Sequence, residues 1–303
     1  MPNGQLAPLT PLPGQAPPTN TTPRTDLLPP SPDRVQVTPQ GSGPNPQPTS
    51  LNALLDSNVV IVVAKSGEGF SQGTGFFVAN DRIVTNRHVI LGGGRTPSSI
   101  QVISRALGNQ PLAAQLLALS APANVPNGPT VTDFALLSVT APPRNFLALG
   151  PSPAKSTQVV ADGYPAFLIQ DDLLAFLKGE TRTAPDSVVQ PGAIIQRRDG
   201  DPVKYLTHSA PLGHGNSGGP LVDLCGRVVG VNTKVVNEGE LATTANLAQD
   251  VSELRTFLER NGVTPKLDQE QKQCPVALSP PGPTAQAGPT TPATPGPAPA
   301  PGT

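Results

Sequence analysis

Between Val59 and Asn232 the chain is a succession of short, β-branched runs, each stopped by Gly, Pro, Asn or Asp. Val59-Val60-Ile61-Val62-Val63-Ala64 reads as a buried strand that ends at Lys65-Ser66-Gly67. Residues 73–79 form a second strand, Asn80-Asp81 a turn and residues 82–86 a returning third, so the pair is a hairpin by turn chemistry. Residues 100–104 and 132–139 follow as strands, while 112–119 fits a strand or a helix. A Pro-rich stretch at 142–153 separates two halves, and the second half repeats the texture at 158–163, 187–190, 193–196, 203–207, 221–223 and 227–232. Many short strands at this spacing predict an all-β sandwich or barrels. Two segments have helical spacing. Residues 171–178 lie inside a longer excursion at 166–190. Residues 250–261 align Val251, Leu254 and Leu258 on one face, with Asp250 and Glu253 as a capping box and Gly262 as the stop.

Composition sets the limits of that body. Of 303 residues 40 are proline, and residues 1–48 and 275–303 together hold 24 of them. Both ends are poor in large apolar residues and cannot bury enough surface to offset ordering entropy, so they are expected to be disordered tails. The net charge is −1 and no basic run occurs, which gives nucleic-acid binding no support. No apolar stretch approaches a membrane span of about 20 residues. The first residues lack the charged and apolar regions of a signal peptide, so either the chain stays inside or a leader precedes it. Cys225 and Cys274 have no metal-ligand spacing, and one disulfide or two buried thiols fit equally well.

The chemistry concentrates in Gly213-His214-Gly215-Asn216-Ser217-Gly218-Gly219-Pro220. A glycine-dense turn between strands lets the backbone approach another molecule and turns its N–H groups into a small space. Ser217 in its middle has the surroundings of an acyl-transfer nucleophile, an exposed hydroxyl beside amides that can hold an oxyanion. A serine hydroxyl needs an adjacent base and a group that orients that base. Only His88, His208 and His214 are available as bases. The order His88, Asp133, Ser217 runs base, acid, nucleophile, which matches chymotrypsin-like enzymes and neither subtilisin nor the α/β-hydrolases. Asp162 and Asp223 are competing acids that fit turns better.

Gly73-Thr74-Gly75-Phe76, Thr85-Asn86-Arg87-His88-Val89, Thr132-Asp133-Phe134-Ala135-Leu136-Leu137 and Gly215-Asn216-Ser217-Gly218-Gly219-Pro220-Leu221 together resemble the bacterial trypsin-like serine peptidases, and among them the HtrA/Deg protease domains. The resemblance covers about residues 55–260. It implies two six-stranded antiparallel β-barrels, the first at about 51–149 and the second at about 155–245, then a C-terminal helix at about 248–261. This 51–262 protease domain would stand between Pro-rich disordered tails at 1–50 and 263–303. It further implies His88 as general base and acid, Asp133 as the group that fixes its tautomer, Ser217 as nucleophile, and the amides of Gly215 and Ser217 as the oxyanion hole. The activity implied is a serine endopeptidase acting on proteins or peptides through an acyl-enzyme, with no metal or organic cofactor. The family likeness favours a periplasmic or secreted location.

The sequence also departs from that pattern. Asn216 stands where animal digestive proteases carry an aspartate that pairs with a new N-terminus, so no such activation step is expected. About 40 residues follow the helix, too few for the PDZ domain usual in HtrA/Deg enzymes. The resemblance puts Pro211 where trypsin carries the acid that selects basic residues, His214 at the rim of the substrate pocket, and Asn232 and Thr233 on its wall. These four are the candidate substrate-binding residues, with small or medium apolar side chains as the expected preference. A disulfide between Cys225 and Cys274 would pin the end of the chain to the turn after the Ser217 strand. Two other readings stay open: a catalytically silent binding protein on the same fold, and a scaffold whose Pro-rich tails carry the function.

Overall fold

The computed structural model describes residues 50–270, apart from 68, 95, 122–131, 142, 143, 201, 202 and 239–242. Of the expected tails at 1–50 and 263–303, all but Ser50 and residues 263–270 lie outside the described residues. In chain order the elements of the first half are α1 (Leu51–Asn58), β1 (Val59–Ser66), β2 (Gly69–Ala79), β3 (Arg82–Thr85), α2 (Arg87–Ile90), β4 (Ser99–Ile103), β5 (Leu112–Leu119) and β6 (Ala135–Val139). The second half runs β7 (Gln158–Gly163), α3 (Ala166–Leu177), β8 (Val188–Arg198), β9 (Tyr205–His208), β10 (Pro220–Asp223), β11 (Val228–Glu238), β12 (Thr243–Asp250) and α4 (Val251–Arg260). The strands close into two barrels, β1-β2-β3-β6-β5-β4 and β10-β11-β12-β9-β8-β7. All their pairings are antiparallel, as the resemblance implies.

Strand periodicity explains how the two barrels meet. In β1, Val60, Val62 and Ala64 fill the interior of the first barrel, while Val59, Ile61 and Val63 point outward. In β7, Val159 and Ala161 fill the second barrel and Val160 points outward. The outward faces are apolar too because they build a third core between the barrels, shared with α1, α3 and α4. That is why β1 reads as an unbroken apolar run and not as an alternation. Each fully buried Leu, Ile or Phe contributes about 1.5–3 kcal/mol. Phe134 and Phe257 meet in this shared core at 5.4 Å between ring centroids, so α4 braces the segment that carries Asp133.

Several elements differ from the sequence reading. The segment 112–119 is a strand whose exposure alternates residue by residue, which decides it against a helix. The runs 187–190 and 193–196 are one strand, β8, continuous through Pro191 and Gly192, and Gly192 leaves room for the backbone of Ala210. Helix α3 begins at Ala166, five residues earlier than its leucine spacing indicates. Helix α1 and strand β12 were not anticipated. Ser50 caps α1 by accepting from Ala53 N–H at 3.1 Å. Asp250 caps α4 by accepting from Ser252 N–H at 2.8 Å. Glu253 does not close a capping box, because its carboxylate accepts from Lys204 N–H at 3.2 Å. Gly262 ends α4 at φ +74, as expected of a helix stop. Residues 263–270, assigned by sequence to the tail, lie against the body. Val263 is buried, Leu149 N–H donates to the Lys266 carbonyl at 2.8 Å, and Asp268 N–H donates to the Leu149 carbonyl at 2.9 Å.

Among the described residues no helix is long and apolar enough to cross a membrane.

Candidate active site

Ser217 sits on a loop clamped between the barrels. Its carbonyl accepts from Thr74 N–H of β2 at 2.9 Å, and Gly218 N–H donates to the Asn232 carbonyl of β11 at 2.8 Å. Thr74 is fully buried and serves both barrels: its hydroxyl donates to the Gly215 carbonyl at 2.7 Å and accepts from Tyr164 N–H at 3.0 Å. The loop needs its glycines. Gly215 and Gly218 have φ +97 and +86, a region that L side chains rarely adopt. A Cβ on Gly218 would collide with the Thr74 carbonyl and the Thr85 hydroxyl. Gly218→Ala is therefore expected to cost at least about 3 kcal/mol, through strain at positive φ together with overpacking. Chemical denaturation would show the loss; a midpoint within error of the native protein would refute this account.

The same loop leaves two donors over. Asn216 N–H and Gly219 N–H bond to the carbonyls of Gly213 and Asn216, at 3.1 and 3.0 Å. The amides of Gly215 and Ser217 donate to no acceptor among the described residues. They are the pair that the sequence expects to hold an oxyanion.

His88 stands on the short α2, which buried Val89 and Ile90 anchor against the first barrel. Its ring is about half exposed (51%). Asp133 reaches it twice: Oδ2 lies 2.5 Å from His88 Nδ1, and Oδ1 accepts from His88 backbone N–H at 2.9 Å. The backbone of Asp133 is held on three sides. Its carbonyl accepts from Asn86 Nδ2 at 2.7 Å and Arg87 N–H at 3.2 Å, and its N–H donates to Gln249 Oε1 at 3.0 Å. Asp133 comes from the first barrel and Gln249 from β12 of the second, so the acid rests on both.

Thr233 joins Asp133 to Ser217. The β11–β12 register slips between Asn232 and Lys234, which makes Thr233 the extra residue of a bulge. A bulge frees a residue from the ladder and re-aims it. The Thr233 hydroxyl donates to Asp133 Oδ2 at 3.0 Å, and its carbonyl accepts from Ser217 Oγ at 3.3 Å. In this structure the Ser217 hydroxyl is bonded there and not to His88.

The remaining expectations fare differently. Pro211 and His214 are exposed on the loop that leads to Ser217. Asn232 is fully buried, and its side chain donates to the Pro220 carbonyl at 3.2 Å, which ties it to the strand after Ser217. His208, one of the three histidines available as a base, is fully buried and pairs across strands with Asn246. Burial pushes its imidazole down to about 4, against an opposing contribution from the Asn232 side chain. It stays neutral at pH 7, and no hydrogen bond joins it to Ser217 among the described residues. The competing acids lie elsewhere. Asp223 is engaged by Arg227, with Nη2 at 2.7 Å and Nε at 2.8 Å. Cys225 is disulfide-bonded, and its expected partner Cys274 lies outside the described residues.

Asp162 is buried between the barrels. Burial pushes its carboxyl up to about 7; the Ser187 hydroxyl at 3.2 Å opposes this, Asp56 of α1 adds to it, and the Gly163 backbone opposes it. Below about pH 4 the group is protonated in folded and unfolded chains alike. As pH rises from about 4 to about 7 the unfolded chain releases the proton while the folded chain keeps it, so stability falls, and above about 7 the loss is complete. Asp162→Asn is expected to raise Tm by several degrees at pH 8 and much less at pH 5. Calorimetry at the two pH values checks this; equal shifts at both would refute it.

Residues 73–231 match the family described as the trypsin-like peptidase domain. An uncharacterized protein of Sinorhizobium fredii, y4bJ, is 30% identical over 227 residues, covering 72% of this chain and 32% of its own length. Serine protease Rv3671c of Mycobacterium tuberculosis is 29% identical over 211 residues, covering 65% of this chain and 45% of its own. The mitochondrial serine protease HTRA2 of Drosophila ananassae is 28% identical over 193 residues, covering 63% and 39%. The chain thus spans between about a third and just under half the length of these relatives. The crystal structure of active Rv3671c protease shares the fold, with a TM-score of 0.53, 24% identity, and coverage of 72% of this chain and 86% of that one.

Proposed function

This chain belongs to the trypsin-like peptidase family, and from that premise we propose that it is a serine endopeptidase working through Ser217, His88 and Asp133. Ser217 Oγ attacks the scissile carbonyl as its proton passes to His88 Nε2. The Nδ1–H of His88 is held by Asp133 Oδ2, which fixes the tautomer with a free lone pair on Nε2 and stabilises the imidazolium that forms. The carbonyl oxygen gains negative charge and is received by the amides of Gly215 and Ser217, which have no other acceptor among the described residues. Collapse of the tetrahedral intermediate breaks the C–N bond, and His88 gives its proton to the leaving amine. Water, deprotonated by the same imidazole, then hydrolyses the acyl-enzyme. One observation carries the reading: a continuous chain of contacts, His88–Asp133–Thr233–Ser217, drawn from both barrels and ending beside two unengaged amides.

The test is labelling with a fluorophosphonate, read by peptide mass spectrometry, alongside casein digestion. An adduct on the Ser217 peptide with casein cleavage is the expected result. A native protein that takes no adduct and leaves casein intact would overturn the proposal.

A further inference from the structure

One buried side chain beside Asp133 is out of keeping with its place in the fold. Gln249 lies on β12 and is 4% exposed. Its neighbour Ala248 is fully buried inside the second barrel. Side chains alternate along a strand, so Gln249 points out of that barrel, into the seam where it meets Asp133 of the first. Its cross-strand partner Val231 belongs to the apolar core that the barrels share. A buried amide at such a seam is costly unless it is hydrogen-bonded. Here Gln249 Oε1 accepts from Asp133 N–H at 3.0 Å.

That bond completes the hold on one peptide unit. The Thr132 carbonyl and Asp133 N–H belong to the same planar group. The Ser120 hydroxyl donates to the Thr132 carbonyl at 2.5 Å and accepts from Phe134 N–H at 3.0 Å. Ser120 directly follows β5, so the first barrel fixes the carbonyl edge of the unit and the second barrel fixes its N–H edge. Tilting this unit swings the Cα–Cβ bond of Asp133. Its carboxylate tolerates little swing, because it serves three donors at once: His88 N–H at 2.9 Å, His88 Nδ1 at 2.5 Å and the Thr233 hydroxyl at 3.0 Å. Asn86 and Arg87 hold the other side of the residue, through its carbonyl.

We propose that Gln249 is a positioning residue for the reaction: from the second barrel it holds the peptide unit before Asp133, so that the carboxylate meets His88 in the orientation that catalysis uses. The proposal rests on the endopeptidase reading. Gln249 touches neither substrate nor the reacting atoms and acts only through Asp133. Misplacing a group in such a constellation by about 1 Å costs on the order of 100-fold in rate.

The experiment uses the full chain and an internally quenched peptide built on the bond that casein digestion shows to be cleaved best. Gln249→Met keeps the bulk and removes the acceptor, whereas Gln249→Glu keeps an oxygen in its place. Gln249→Met is expected to lose about 10–100-fold in kcat with KM near the native value. The proton NMR signal of the His88 Nδ1–H is expected to weaken or vanish in it. Gln249→Glu is expected to recover most of both. Val229→Ala, whose side chain lies inside the second barrel, is expected to lower Tm without lowering kcat, which separates positioning from loss of stability. Gln249→Asn keeps the amide but draws its oxygen back by one methylene; it stands in if the Met variant does not fold, and the same losses are expected. A Met or Asn variant with native kcat and an unchanged signal, or a Glu variant as impaired as the Met variant, would overturn the proposal. Failure of both Met and Asn variants to fold would also overturn it, by making Gln249 a support of the fold alone. A native protein that takes no fluorophosphonate and leaves casein intact sinks the endopeptidase reading; one that does both while its variants match it sinks only this inference.

Discussion

Replacing Ser217 by alanine is expected to lower kcat by about 10⁴–10⁶-fold and to abolish labelling by fluorophosphonate. The chemical reason is that covalent catalysis is lost with the oxygen, while the amides of Gly215 and Ser217 and the substrate contacts survive and leave a small residual rate. The fold should be untouched. The hydroxyl makes one hydrogen bond, to the Thr233 carbonyl at 3.3 Å, whereas the loop is held by backbone bonds and by its glycines. Thermal unfolding of the variant should therefore match the native protein while casein cleavage disappears. Undiminished cleavage by Ser217→Ala would move the chemistry to another residue.

Asp133→Asn is expected to cost about 10⁴-fold in kcat with little change in stability. The geometry dictates how. Oδ1 accepts from the backbone N–H of His88, a donor that cannot change. An asparagine must keep its oxygen there, so its amide nitrogen faces His88 Nδ1 and the Thr233 hydroxyl, the groups that Oδ2 now receives. The hydroxyl can turn and accept. The imidazole can accommodate an N–H donor only by moving its own proton to Nε2, and an Nε2–H ring cannot take the proton of Ser217. The proton NMR signal of the Nδ1–H is expected in the native protein and absent in the variant. A variant that keeps both that signal and its activity would overturn the assignment of Asp133.

How much of this could be read from the chain alone follows from the range of the interactions. The Ser217 loop was legible because its constraints are local: positive φ at Gly215 and Gly218 demands glycine whatever surrounds them. His88 and Asp133 were legible through the short motifs that hold them, and the all-β class through runs such as 59–64 stopped by turn residues. Helix α1 has a local signal, Ser50 capping Leu51-Asn52-Ala53-Leu54-Leu55, but it directly follows the Pro-rich segment, whose composition points to disorder. Strand β12 had almost none, because Thr-Thr-Ala-Asn-Leu-Ala-Gln-Asp acquires its conformation from the ladders to β11 and β9.

The sequence by itself determined that this chain folds as short strands and that it carries a serine on a glycine-built turn, and it singled out the histidine and aspartate that we propose serve that serine. Those are properties of backbone sterics and side-chain chemistry within a few residues. Only the tertiary structure decided what supports them. Thr74 holds the Gly215 carbonyl from across the interface, Gln249 holds Asp133 from the far barrel, and a bulge in β11 turns Thr233 to both Asp133 and Ser217. The physical reason is that each of these contacts joins residues far apart in sequence, and their geometry exists only once both barrels have closed and packed together.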